Sequence, residues 1–131
     1  MLFRSRFNER HVSRLLENEG IVRHRGKIEA VINNARRAQE LVKREGSLAA
    51  FIWRYEPSPK RVARPQSAST SAESMALSKD LKKLGWKFVG PTTVYAFMQA
   101  MGLVNDHVEA CVTRAKVERA RRRFVRPSVK P

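Results

Sequence analysis

Acidic residues are scarce in this 131-residue chain: 12 Asp and Glu stand against 27 Lys and Arg, a net charge of +15. The resulting pI of about 11.2 predicts attraction to polyanions, most simply through phosphate contacts that release counterions. A ribosome-associated or anionic-membrane protein would satisfy the same composition. Cysteine is nearly absent. The single Cys111 excludes an internal disulfide framework and suits a reducing, cytoplasmic setting. No apolar run approaches the roughly eighteen residues that a membrane span requires, so no membrane partner is expected. The first residues are basic, and no apolar stretch of the kind found in a secretory signal follows them. A phosphate-loop glycine pattern and a serine- or cysteine-based triad are both missing.

What is present reads as helix. Hydrophobic residues make up 42% of the chain, enough for one domain with a modest core. Val12, Leu15 and Leu16 mark a short amphipathic helix ending at Gly20. Ile28, Val31, Ile32, Ala35 and Val42 continue an apolar stripe over about 26–44, with Gly46 as its stop. Leu48, Phe51 and Ile52 suggest another short helix before Pro57. Residues 56–69 hold three prolines and no apolar period, which predicts a surface connection between two helical halves.

Sharper signals follow. Thr70 and Glu73 read as a capping box. The helix behind them carries Leu77, Leu81 and Leu84 on one face and ends at Gly85. After Trp86–Pro91, a second helix places Val94, Phe97, Met98 and Met101 at core spacing, and Gly102 stops it. Pro91 suits the first helical position, so the amides of Thr92 and Thr93 have no partner within the helix. A glycine-containing turn at a helix N-terminus, with Lys82, Lys83 and Lys87 nearby, forms a ready anion site, and a DNA phosphate is its natural ligand. On this reading Lys87, Gly90, Thr92 and Thr93 bind phosphate. On the alternative reading, Gly90 only permits a tight interhelical turn.

The stretch from Ser71 to His107, with LKKLGWKFVGPTTVYAFMQAMGLVNDH at its heart, resembles the C-terminal signature of the DNA-3-methyladenine glycosylase I family. Upstream, Gly20–Ile28 (GIVRHRGKI) resembles that family's helix-joining segment. The resemblance covers nearly everything from about residue 10 to residue 111 and implies an all-α helix-hairpin-helix fold; residues 1–111 are read as that domain, and 112–131, from their charge, as a basic C-terminal tail. It implies base-excision repair of double-stranded DNA carrying an alkylated base, with the hairpin at Trp86–Thr92. Phe88 stands where the wider superfamily's Gly-x-Gly pattern has its first glycine, and Gly90 keeps the second.

The resemblance also implies a structural zinc, two of whose ligands map onto His107 and Cys111. Their four-residue spacing would place both on one helical face. A closed site needs four ligands, and His11 and His24 are the other candidates, although His24 sits in the basic run Arg23–Arg25. The family's base-pocket residues and remaining zinc ligands come from an N-terminal segment with no match here. The chain is therefore expected to lack that portion, to excise weakly and to expose apolar surface that favours self-association. Asp106 lies roughly where related glycosylases carry a catalytic aspartate. The competing reading makes Asn105 or Asp106 the cap of a helix bearing His107. Trp53, Tyr55, Trp86 and Tyr95 are read as packing or anchor residues. Residues 114–131 hold eight basic side chains against Glu118 alone, which suits either a solvated helix face or an arm lying on DNA.

Overall fold

Glycines and prolines punctuate this chain as the apolar spacing predicts. The computed structural model describes residues 3–58 and 68–128, so most of the 56–69 connection lies outside the described residues. Among the described residues there are six α-helices, one 3-10 turn (Arg4–Arg6) and no strand. The helices are α1 (Glu9–Glu17), α2 (Arg25–Glu45), α3 (Leu48–Trp53), α4 (Ala72–Lys83), α5 (Pro91–Ala100) and α6 (Val112–Arg123). None is long and apolar enough to cross a membrane. The all-α expectation holds.

Two apolar clusters organise these helices. The larger joins Leu41 of α2, Phe51 of α3, Leu77 and Leu81 of α4, and Val94, Tyr95 and Met98 of α5, with Leu103 and Val104 entering after α5. Leu77 and Met98 are fully buried at its centre, where α4 and α5 form the most extensive helix pairing. Each large side chain so buried contributes about 2 kcal/mol through area removed from water. The smaller cluster packs Val12 of α1 on Ile28 and Ile32 of α2.

The stripes differ from expectation at their edges. Val31 and Val42 of α2 are 48% and 42% exposed, while Ala30, Ala38 and Leu41 join the expected Ile28, Ile32 and Ala35 on the inward face. Phe97 and Met101 are likewise exposed, at 40% and 55%, because Val94, Tyr95 and Met98 fill the core face of α5. The cap of α4 falls one residue later than the Thr70–Glu73 box. Ser71 Oγ accepts from the Ser74 amide at 3.1 Å, and Ser74 Oγ accepts from the Ser71 amide at 2.8 Å. Ser74, Leu77, Ser78 and Leu81 form the buried face at helical spacing, and that register sets where the helix can begin.

Candidate nucleic-acid interface at the α4–α5 corner

The corner between α4 and α5 is built from backbone groups held by polar side chains of α2 and α4. Two consecutive asparagines on α2 reach across to it. Asn34 Nδ2 donates to the Lys87 carbonyl at 2.8 Å, and the Lys87 amide donates to Asn34 Oδ1 at 2.9 Å. Asn33 Nδ2 donates to the Gly85 carbonyl at 2.9 Å. From α4, the Ser78 hydroxyl donates to the Val89 carbonyl at 2.7 Å. The turn is thus clamped on both sides of Phe88. Neither asparagine was singled out in the sequence, yet two adjacent asparagines inside a helix are a legible signal. Their helix propensity is poor, and their amides suit partners outside the helix.

Those clamps hold an unfavourable backbone. Phe88 has φ +56°, the one positive value outside glycine among the described residues. It occupies the left-handed conformation that glycine favours, at a cost of about 1–2 kcal/mol for a residue with a Cβ. Its ring is 57% exposed and meets His24 edge-on at 6.2 Å between centroids. Gly85, at φ +78°, needs its glycine for the same reason.

Gly90 is different. Its φ is −62°, an ordinary value for any residue, and a Cβ added there would meet nothing within 4 Å. The fold itself therefore does not require glycine at this position. Gly90 is the N-cap of α5 with Pro91 behind it, and the first intrahelical bond runs from the Val94 amide to the Gly90 carbonyl. The Thr92 and Thr93 amides precede that bond, and both residues are exposed. Lys82, Lys83 and Lys87 are exposed as well. Among the described residues, only Lys83 of these has a neighbouring carboxylate, Asp80, at 3.2 Å. Asp80 also accepts from the Tyr55 hydroxyl at 2.7 Å, which holds its carboxyl below the ordinary value. The corner is open at Gly90, Thr92 and Thr93 are exposed, and its surroundings are cationic. Lys87 contributes its side chain alone, since its amide is bonded to Asn34.

Beside the corner lies an apolar groove of about 600 Å³ whose walls include Trp53, Trp86, Phe88, Val89, Phe97 and Met101. The Trp86 indole N–H is buried without a hydrogen-bond partner. Among the described residues no carboxylate lines this groove.

A chain with this corner and groove matches a known family. Residues 4–115 fit the family model for methyladenine glycosylase. The chain belongs to the methyladenine glycosylase family. It is 45% identical over 107 residues to DNA-3-methyladenine glycosylase 1 of Escherichia coli (strain K12), covering 79% of this chain and 57% of that protein. It is 44% identical over 100 residues to the DNA-3-methyladenine glycosylase of Haemophilus influenzae, covering 73% of this chain and 54% of that one. The chain thus spans little more than half the length of these relatives. Among solved structures, a crystal structure of 3-methyladenine DNA glycosylase I superposes with a TM-score of 0.77 at 42% identity. It covers 85% of this chain and 63% of its own. The Staphylococcus aureus glycosylase, solved to explain its recognition of 3-methyladenine, gives a TM-score of 0.77 at 32% identity, over 85% of this chain and 61% of its own.

The remaining site candidates of this family member lie after α5, where the expected helix does not form. Gly102 turns the chain at φ +76°, Leu103 and Val104 enter the core, and residues 103–108 are irregular. The side chains of Asn105 and Asp106 are therefore not caps. Asn105 Nδ2 donates to the Arg114 carbonyl at 3.1 Å. Asp106 Oδ2 accepts from the Tyr95 hydroxyl at 2.9 Å and from Gln99 Nε2 at 2.7 Å. Burial, then that bond, pushes the Tyr95 phenol up to about 12. Asp106 is occupied in tying the loop to α5, and it does not line the groove.

His107 and Cys111 nonetheless meet. A turn from the Cys111 amide to the Val108 carbonyl, rather than a helical face, brings His107 Nδ1 within 3.7 Å of Cys111 Sγ. A tetrahedral zinc with bonds of roughly 2.3 Å to sulfur and 2.0 Å to nitrogen separates two such ligands by about 3.5 Å. The pair fits one edge of such a site. Hydrogen bonds from the Thr113 amide, foremost, hold the Cys111 thiol below its ordinary value. Among the described residues, however, no group of three or more His, Cys, Asp or Glu is placed to hold a metal ion. His24 caps α2 by accepting from the Lys27 amide, and His11 bonds to Asn8 and stacks on Phe7. Two donors do not make a closed zinc site.

Proposed function

We propose that this chain acts as a base-excision repair glycosylase, hydrolysing the N-glycosidic bond to 3-methyladenine in alkylated double-stranded DNA in the cytoplasm. The observation that carries the reading is the family match across residues 4–115, which contains the open cationic corner. In this reading α4, the corner and α5 form a helix-hairpin-helix. The Thr92 and Thr93 amides, with Lys87, take a DNA phosphate, and Gly90 lets the strand approach. The lesion base, flipped from the duplex, carries a formal positive charge and leaves as a neutral molecule, so recognition rather than acid assistance supplies most of the selectivity.

One observation favours a second reading. A cationic base is best held by aromatic faces together with a carboxylate, and among the described residues the groove offers aromatic faces without a carboxylate. On that reading the chain by itself grips DNA without excising. Zinc belongs to the proposal only with two ligands in addition to His107 and Cys111. The deciding experiment measures 3-methyladenine released from alkylated duplex DNA by the purified chain. From the groove's lining we expect binding with weak release. Robust turnover would establish the first reading, and binding with none would establish the second.

A further inference from the structure

The family match ends at residue 115, inside α6. The rest of α6 and the segment behind it are nevertheless fixed to the body. Arg121 donates to the Gly102 carbonyl and pairs with Glu56 at 3.0 Å. Arg126 pairs with the same carboxylate at 2.7 Å, and its guanidinium lies 5.4 Å from the Trp53 ring centroid. Phe124 packs on Trp53 with ring centroids 4.8 Å apart. Glu56 is 19% exposed, and Arg121 is 18% exposed.

This anchoring divides the cations of α6 into two sets. Arg114 and Arg121 point inward and bond to the body. Lys116, Arg119, Arg122 and Arg123 are exposed and make no ion pair among the described residues. At 100° per residue these four fall within an arc of about 120°, and at 1.5 Å per residue they span roughly 10 Å. That length faces about three phosphates of one strand at 3.4 Å each along a duplex. Trp53, the residue on which Phe124 packs, also lines the groove that Phe88 and Val89 of the corner wall. The far end of α6 is therefore one side chain from the groove beside the corner.

We propose that α6 is a second DNA-contact surface, in which Lys116, Arg119, Arg122 and Arg123 bind duplex phosphates beside those gripped at the α4–α5 corner. The inference rests on the DNA-binding reading above and extends it to a segment outside the family match. A merely solvated basic helix would need no anchoring, whereas a phosphate-binding one gains from being held rigid, since less ordering is left for the binding step. The contact reads charge and carries no base specificity.

The test is the affinity of the full chain for undamaged duplex DNA across a range of salt. Lys116→Gln, Arg119→Gln, Arg122→Gln and Arg123→Gln are combined in one variant. Loss of up to four phosphate contacts should flatten the log–log salt slope by about 2–3.5 and weaken binding at least tenfold. Replacing the three arginines by lysine should retain binding. A matched variant neutralising Arg6, Arg10, Arg14 and Lys43, also exposed, should lose far less. An unchanged slope, or an equal loss in the matched variant, overturns the proposal. A flattened slope in a chain that releases no base supports the α6 contact while defeating the glycosylase reading. Robust release with an unchanged slope defeats the α6 contact alone.

Discussion

The α4–α5 corner and the C-terminal segment both sit at the edge of the main core, but different forces hold them. At the corner, neutral amide and hydroxyl groups from α2 and α4 meet backbone atoms: Asn33 on Gly85, Asn34 on Lys87 and Ser78 on Val89. At the C-terminus, one half-buried carboxylate, Glu56, gathers Arg121 and Arg126. Neutral bonds to backbone fix conformation and are nearly indifferent to salt. Ion pairs fix position, and salt weakens them. A turn that must hold Phe88 in a left-handed conformation needs the first kind. A helix that only has to stay docked can rely on the second.

The largest break in this comparison should come from Asn34→Ala. It removes both bonds to Lys87 and leaves a strained turn with one clamp fewer, a loss of about 2 kcal/mol. Chemical denaturation should show it equally at low and high salt. A loss that disappears in salt would mean that the corner is held by charge after all. Glu56→Gln should cost less, about 1 kcal/mol, confined to the C-terminal segment. Amide exchange should quicken in α6 and remain unchanged in α4 and α5. In the wild type, added salt should reproduce only a small part of that quickening, because the pair is largely withdrawn from solvent. Uniform loss of protection would show instead that α6 is integral to the core.

The sequence disclosed these two regions unequally. Glycine stops and apolar spacing located the helices of the first two-thirds closely, because burial and backbone freedom both leave a mark in local sequence. The resemblance around GWKFVGP placed the corner and marked Phe88 as its anomaly. The clamps were missed because Asn33 and Asn34 lie some fifty residues from their partners, a distance that no local pattern spans. After α5, spacing misled. A four-residue spacing of His107 and Cys111 suggested a helix, but Leu103 and Val104 are drawn into the core, and a turn delivers the same proximity. The anchoring of the tail was equally illegible, since one acidic residue in a proline-rich stretch gives no sign of partners some seventy residues on.

Gly90 offers the most direct test, because the fold leaves room there for a side chain that a DNA strand would not. Gly90→Leu should lower the melting temperature by no more than a few degrees, about 1 kcal/mol for exchanging a favoured N-cap residue, since nothing lies within 4 Å of an added Cβ. The same variant should lose at least tenfold in duplex affinity, about 1.4 kcal/mol. Undiminished DNA binding by a folded Gly90→Leu protein would contradict the assignment of this corner as the phosphate grip.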